Sequence, residues 1–475
     1  MVKIKQKYDV TIIGSGLSGS TCAIRCAQLG LKTLCIDNLL SSDSNKVDPG
    51  IFSNPGSLST IALLESAKIY ESILNEINLH GIYVDNLMLN LSQMIQRKDS
   101  VINSINQNLT KQFNNYKIDF IHAKSKILNS STIEIIAPTS LKYKYINSEH
   151  IVLATESIPI SISCAPIDNE FILDSIASFD ITEVPKRLAI LGAGVIGLEI
   201  AGIWNRMGAE TILLDAQETF LGLTDHQISR EAYQIFTAQG LELRLGTRII
   251  STKVSNKKVM IEYQDSYGTH AIRVDKLIVA SGRKPNSDHI AAPEANLLLD
   301  ENGFIHINDI YRTNLPNVYA IGDLTLLGPM LAHKGIAEGV FVAEQISGIQ
   351  SSPIDYGKMP NVIYTEPEIA WVGQTEQTIK AMGDQVNIGV YPINRNPKGI
   401  ATNKINGLIK IISCVKSDSI LGIHIIANNA SELIAEATLA MEFSANSEDI
   451  KNTIHPYPSL VDSLRDAINS IIEKH

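Results

Sequence analysis

A short β-branched run, Val10 to Ile13 in YDVTIIGSGLSG, leads straight into Gly14, Gly16 and Gly19, a G-x-G-x-x-G turn at the start of a helix. The first glycine permits the tight turn, the second lets the backbone approach a pyrophosphate, and the third lets the helix pack closely on the strand. The phosphates then sit at the helix N-terminus. Asp37 closes a second strand, LKTLCID, 23 residues after Gly14. A carboxylate there can accept both hydroxyls of an adenosine ribose.

The device is repeated. Leu188 to Gly197, LAILGAGVIG, supplies Gly192, Gly194 and Gly197. Gly30 and Gly208 each fall 16 residues after their first glycine, and Asp37 and Asp215 each fall 23 after it. Two copies in one register predict two dinucleotide sites in one α/β chain. Two dinucleotides side by side suggest FAD plus a nicotinamide cofactor.

The length of 475 residues allows about three domains. A net charge of -10, with no offsetting basic block, argues against nucleic acid or an anionic membrane as partner. A cytoplasmic metabolic protein is expected. The start, MVKIKQKYDVTIIG, has a basic n-region, but Asp9 and the glycines interrupt the apolar stretch, so it reads as a first strand and not a signal peptide. Leu188 to Trp204 carries Glu199 and the glycines at 192, 194 and 197, which make it strand, turn and helix, not a membrane span.

Five cysteines, Cys22, Cys26, Cys35, Cys164 and Cys414, are scattered with neither a C-x-x-C nor a C-x4-C. That suggests a reducing compartment without structural disulfides. Cys22 and Cys26 share a helix face and are read as small residues packing on a sheet. His, Cys and carboxylates form no cluster at ligand spacing, so no metal is expected.

In chain order, the polar loop SSDSNKVDPG precedes a helix from Leu58 to Asn75, with an apolar stripe of Leu63, Leu64, Ala67, Ile69 and Leu74. A helix near 91–108 leads to strands near 118–121, 132–136 and 151–155. The second nucleotide module runs to IVASGRKPN. Ser351, Ser352 and Pro353 mark a boundary, and beyond it strands at 408–412 and 420–426, the helix 430–443 and a last helix after Pro458 form an α+β segment.

YDVTIIGSGLSG, LAILGAGVIGLEIAGIWNRMGAE, VASGRKPN, TNLPNVYAIGD, LGPMLAHKGIAEGV, YTEPEIAWVG and LGIHIIANNASELIAEA occur in one order along essentially the whole chain. Together they resemble the pyridine nucleotide-disulfide oxidoreductases, closest to the dihydrolipoamide dehydrogenases, the flavoprotein components of 2-oxo acid dehydrogenase complexes. The resemblance implies two Rossmann-like dinucleotide-binding domains and a C-terminal α+β dimerisation domain. FAD would be held by residues 1–156 with 285–350, NAD by 157–284, and a homodimer would form through 351–475. On the FAD side it implies Gly14, Gly16, Gly19, Asp37, Gly322, Asp323 and the stretch Met330, Leu331, Ala332 and His333. On the NAD side it implies Gly192, Gly194, Gly197, Glu199, Asp215 and Gly282. The stretch DAQETF after Leu214 offers no cation for a 2′-phosphate, which favours NAD over NADP.

The departures fall on the chemistry. The family motif C-L-N-V-G-C-I-P-S-K precedes A-L-L, and the register set by Ala62, Leu63 and Leu64 puts Phe52 and Ser57 at the two cysteines and Ile61 at the lysine. Thiol–disulfide exchange needs a sulfur to be attacked and a thiolate to leave, and neither phenyl nor hydroxyl supplies them. The family's H-P-T-L-S-E places a His and an acid five residues apart. Here Tyr457 and Asp462 take those positions, and His455 is read as structural. A phenol is a poorer base at neutral pH than imidazole. The family's A-T-G is Ala154, Thr155, Glu156, which puts a carboxylate near the cofactors. Glu199, without the lysine, needs another donor or a raised pKa if buried.

Two functions follow. One is a flavoprotein that takes hydride from NADH onto FAD and passes electrons to an acceptor other than a disulfide. The other is a pseudoenzyme, a dimeric binding or assembly component of a 2-oxo acid dehydrogenase complex.

Overall fold

The computed structural model describes residues 7–37, 56–136 and 144–472. The described chain divides into two units. The first comprises Met1–Leu58, Lys98–Ile160 and Gly282–Ile354, the second Ser59–Arg97, Ser161–Ser281 and Asp355–His475.

The first unit is built on β1 (Lys7–Ile13), α1 (Leu17–Gln28) and β2 (Thr33–Asp37). Two long helices follow, α2 (Gly56–Asn75) and α3 (Leu91–Asn115), and the unit boundaries fall within them. Then come β3 (Asp119–His122), β4 (Lys124–Asn129), β5 (Thr132–Ile136) and β6 (Tyr145–Leu153). The sheet order is β3-β2-β1-β6-β5-β4, with the strand Val318–Ala320 parallel to β6. β1 lies between β2 and β6 and is parallel to both. Val10, Ile12 and Ile13 are consequently fully buried, as expected of a strand covered on both faces. The sequence suggested a strand at 151–155. β6 instead stops at Leu153, although the Ala154 N–H still donates to Ile13 O at 2.8 Å and its carbonyl lies against the glycine turn after β1.

Cys22, Cys26 and Cys35 are completely buried in this unit's core. A contact with Cys26, and then burial, push the Cys22 thiol well up, and burial does the same for Cys35. Cys22 and Cys26 pack as small apolar residues, as their shared helix face suggested.

In the second unit a five-stranded parallel sheet is centred on Arg187–Leu191, flanked by Glu210–Leu214 and Lys276–Val279. A three-stranded antiparallel sheet covers 248–274. A second five-stranded sheet, wholly antiparallel, uses Asn361–Ile363, Glu368–Gly373, Ile420–Ala427, Leu408–Cys414 and Val386–Pro392 in that order. Leu63, Leu64 and Ala67 of α2 join Leu198, Trp204, Ile369 and Ile426 in one core. Ile69 and Leu74 are exposed, so only the first part of the expected stripe is used.

Candidate functional site

The two glycine turns have the geometry their spacing predicts. Gly14 has φ +108°, and a methyl group on it would fall 2.1 Å from Ala154 O. On Gly19 it would fall 2.0 Å from Gly14 O. In the second unit a methyl on Gly192 would meet Ala280 O at 2.5 Å, and one on Gly197 would meet Gly192 O at 1.9 Å. Real side chains never tolerate such approaches, so strand and helix can close together only through glycine.

The carboxylates that follow are already engaged. Asp37 is buried and accepts a hydrogen bond from Ser15 Oγ at 2.8 Å. Asp215 accepts from the Ala193 N–H at 2.6 Å and from the Gln217 N–H at 2.8 Å. Both are therefore fixed at the strand ends beside their glycine turns.

Within the first unit, Gly322 and Asp323 are set by a polar cluster that sequence reading missed. Ser157 Oγ donates to Asp323 Oδ2 at 2.5 Å and accepts from Arg283 Nε at 2.7 Å, and Arg283 also donates to Ser157 O. Lys334 and Glu338, both fully buried, bind the Gly322 backbone. A Lys and a Glu four apart in HKGIAEG signal a helical ion pair, but burial is invisible at that level. Met330 and Leu331 precede the helix Ala332–Ile346, and Ala332 and His333 stand exposed in its first turn.

Glu199 meets both conditions inferred for it. It is 8% exposed, accepts from the Tyr364 N–H at 3.0 Å, and burial pushes its pKa up to about 8. Ile61 is exposed. Ser57 is exposed at the start of α2, and Phe52 lies outside the described residues.

Tyr457 is 74% exposed, and Asp462 is buried and ion-paired with Arg465. No hydrogen bond among the described residues joins Tyr457 to Asp462. His455 is buried with Nε2 2.7 Å from Glu436 Oε1, which fits its structural reading.

The second module leaves the approach to its second glycine open. Gly194 is exposed, and a methyl on it would meet nothing within 4 Å. The first fits FAD in its turn, its Asp37 and its Asp323, but Glu156 lies across Gly16. Among the described residues no group of three His, Cys, Asp or Glu side chains could hold a metal, and no helix is long and apolar enough to cross a membrane.

Two strand–glycine-turn–helix modules, each closed by a buried or hydrogen-bonded aspartate, define a protein with two dinucleotide-binding modules. Residues 8–339 match the family model described as pyridine nucleotide-disulphide oxidoreductase, and residues 359–468 match the dimerisation domain of the same family. The chain belongs to the pyridine nucleotide-disulphide oxidoreductases, which use FAD and NAD(P). It is 36% identical over 467 residues to a dihydrolipoyl dehydrogenase of Cupriavidus necator, covering 98% of each chain. It is 32% identical to a leghemoglobin reductase of Glycine max, covering 98% of this chain and 88% of the relative. The HOCl-induced flavoprotein disulfide reductase RclA of Escherichia coli, in its Cu(II) complex, has the same fold, with a TM-score of 0.86 at 22% identity over 98% of this chain and 99% of that one.

Proposed function

We propose that this dihydrolipoyl dehydrogenase-like chain is an NADH-dependent flavoprotein whose electrons go to an acceptor other than a disulfide, such as a quinone or dioxygen. The observation that carries the reading is the cysteine inventory. All five cysteines are free, three are completely buried in the first module, and none is within five residues of the start of α2. No thiol pair is available for exchange with a dithiol substrate. When bound, FAD supplies the capacity to take two electrons from NADH and hand them on.

The chain's own residues bind and orient. Gly14, Gly16, Gly19, Asp37, Gly322, Asp323 and the 330–333 stretch would hold FAD on 1–156 with 285–350. Gly192, Gly194, Gly197, Asp215 and Gly282 would hold NAD on 157–284. Asp215 already accepts from two N–H groups, and a 2′-phosphate beside that carboxylate would be repelled, which favours NAD. Tyr457 and Asp462 take the family's acid–base positions on the dimerisation segment, 351–475. The proposed form is a cytoplasmic homodimer.

Steady-state assays test this. NADH oxidation with a quinone acceptor is expected, together with no NAD reduction by dihydrolipoamide. Dihydrolipoamide-dependent NAD reduction at rates comparable to the quinone reaction would overturn it. Inactivity in both assays would leave a dimer that keeps the fold without the chemistry.

A further inference from the structure

Gly16 and Gly194 hold the same place in the two modules, but their surroundings differ. Strand register fixes the correspondence. Ile13 pairs with Leu153 as Leu191 pairs with Val279, and Gly14 backs onto Ala154 O as Gly192 backs onto Ala280 O. Three residues beyond each paired strand end stand Glu156 in the first module and Gly282 in the second.

Gly282 has φ +130°, a conformation open to glycine. Glu156 is held in the left-handed region at φ +62°. Its backbone is pinned there, since the Asn286 N–H donates to Glu156 O at 2.9 Å. Asn286 Nδ2 donates to Thr155 O at 3.1 Å, and Thr155 Oγ1 donates back to Asn286 O at 2.7 Å.

From that anchored backbone the side chain runs over the glycine turn. A methyl placed on Gly16 would fall 1.6 Å from Glu156 Oε1, 2.4 Å from its Cδ and 2.9 Å from its Cγ. Gly16 is buried, while Gly194 is exposed with nothing within 4 Å of the equivalent point. Gly16 is also the N-cap of α1, where the helix dipole and unpaired N–H groups favour an anion. A dinucleotide pyrophosphate needs that same close approach to the second glycine.

We propose that Glu156 is a built-in competitor for the flavin pyrophosphate, its carboxylate seated where the phosphates of FAD must come. The proposal rests on the reading that the first module takes FAD. The contact is made by the far end of a flexible side chain, so FAD is admitted once the side chain turns away. The displaced carboxylate stays on an anchored backbone beside a dianionic ligand and repels it. Flavin binding is thereby weak and reversible, whereas the second module binds its nucleotide without such competition.

The test is FAD affinity of the flavin-stripped full-length chain, read by flavin fluorescence, for wild type, Glu156→Gly and Glu156→Gln. Removing one like charge next to a pyrophosphate is expected to tighten FAD binding by about tenfold or more in Glu156→Gly. Glu156→Gln should be tightened less, and NADH affinity should be equal in all three. Glu156→Gly is compatible with the positive φ, and if it nevertheless fails to fold, Glu156→Gln decides. Folded variants that bind FAD no tighter than wild type would overturn the proposal while leaving the flavoprotein reading intact. FAD binding by none of the three would overturn both.

Discussion

Lys334 and Glu338, one helical turn apart and fully buried, grip opposite sides of a single residue. Lys334 Nζ lies 3.4 Å from Glu338 Oε1 and donates to Gly322 O at 2.8 Å, and the Gly322 N–H donates to Glu338 Oε2 at 2.6 Å. Gly322 has φ +69°, and the next residue is Asp323. The turn that presents Asp323 is therefore set by a buried ion pair that also satisfies the Gly322 backbone.

Breaking that pair on one side leaves the other charge buried and unmatched. Glu338→Gln is expected to destabilise the chain by about 3–5 kcal/mol, the range for removing one partner of a buried pair. Urea unfolding monitored by circular dichroism measures this. A loss of under about 1 kcal/mol, the value of an exposed pair, would contradict it.

Glu199 should make stability fall as pH rises. Its pKa is raised by burial from the ordinary carboxyl value of 4.5 to about 8 in the folded chain. The folded state therefore holds the proton where the unfolded state has lost it. The contribution is fully present below pH 4.5 and is lost as pH climbs to about 8, at up to roughly 1.4 kcal/mol per pH unit. Glu199→Gln removes the slope, so its stability relative to wild type should rise steadily across that window in urea unfolding. Parallel curves for the two proteins would refute it.

Lys410 is the hub of a second buried cluster. Its Nζ lies 2.7 Å from Asp225 Oδ1 and 2.5 Å from Glu376 Oε2, with Lys410 and Asp225 almost wholly buried. Although burial opposes it, the Lys410 ammonium holds the Asp225 carboxyl below the usual carboxylate range. Lys410→Met strands two carboxylates and should cost about 3–5 kcal/mol. Because Lys410 holds the folded-state pKa of Asp225 down, wild type should lose stability as pH falls through the acid range, and this acid-induced loss should be smaller in Lys410→Met. Urea unfolding of both proteins at neutral and acid pH reads the difference, and a stability gap that does not narrow at acid pH would count against the cluster's role.

The fold was legible wherever local chemistry dictates geometry. The strand–glycine–helix starts at Val10 and Leu188, the helix ending at Asn75 and the strands from Leu408 and Ile420 follow from runs, periods and turn residues acting within a few positions. Glu199 could be anticipated because burial of a carboxylate without its cation has only a few outcomes. The Ser157–Asp323 and Lys410–Asp225 contacts span 166 and 185 residues. Nothing local in either partner announces the other. Tyr457 and Asp462 stand five residues apart, and Asp462 ion-pairs with Arg465 three residues further along its own helix.

The central claim, an NADH-to-flavin half-reaction without a thiol partner, is tested most directly by anaerobic titration of the FAD-supplemented protein with NADH in a spectrophotometer. The flavin band should bleach without the long-wavelength charge-transfer band that a thiolate beside a flavin produces. A flavin band that NADH leaves unchanged, or a charge-transfer band appearing on reduction, would contradict the account.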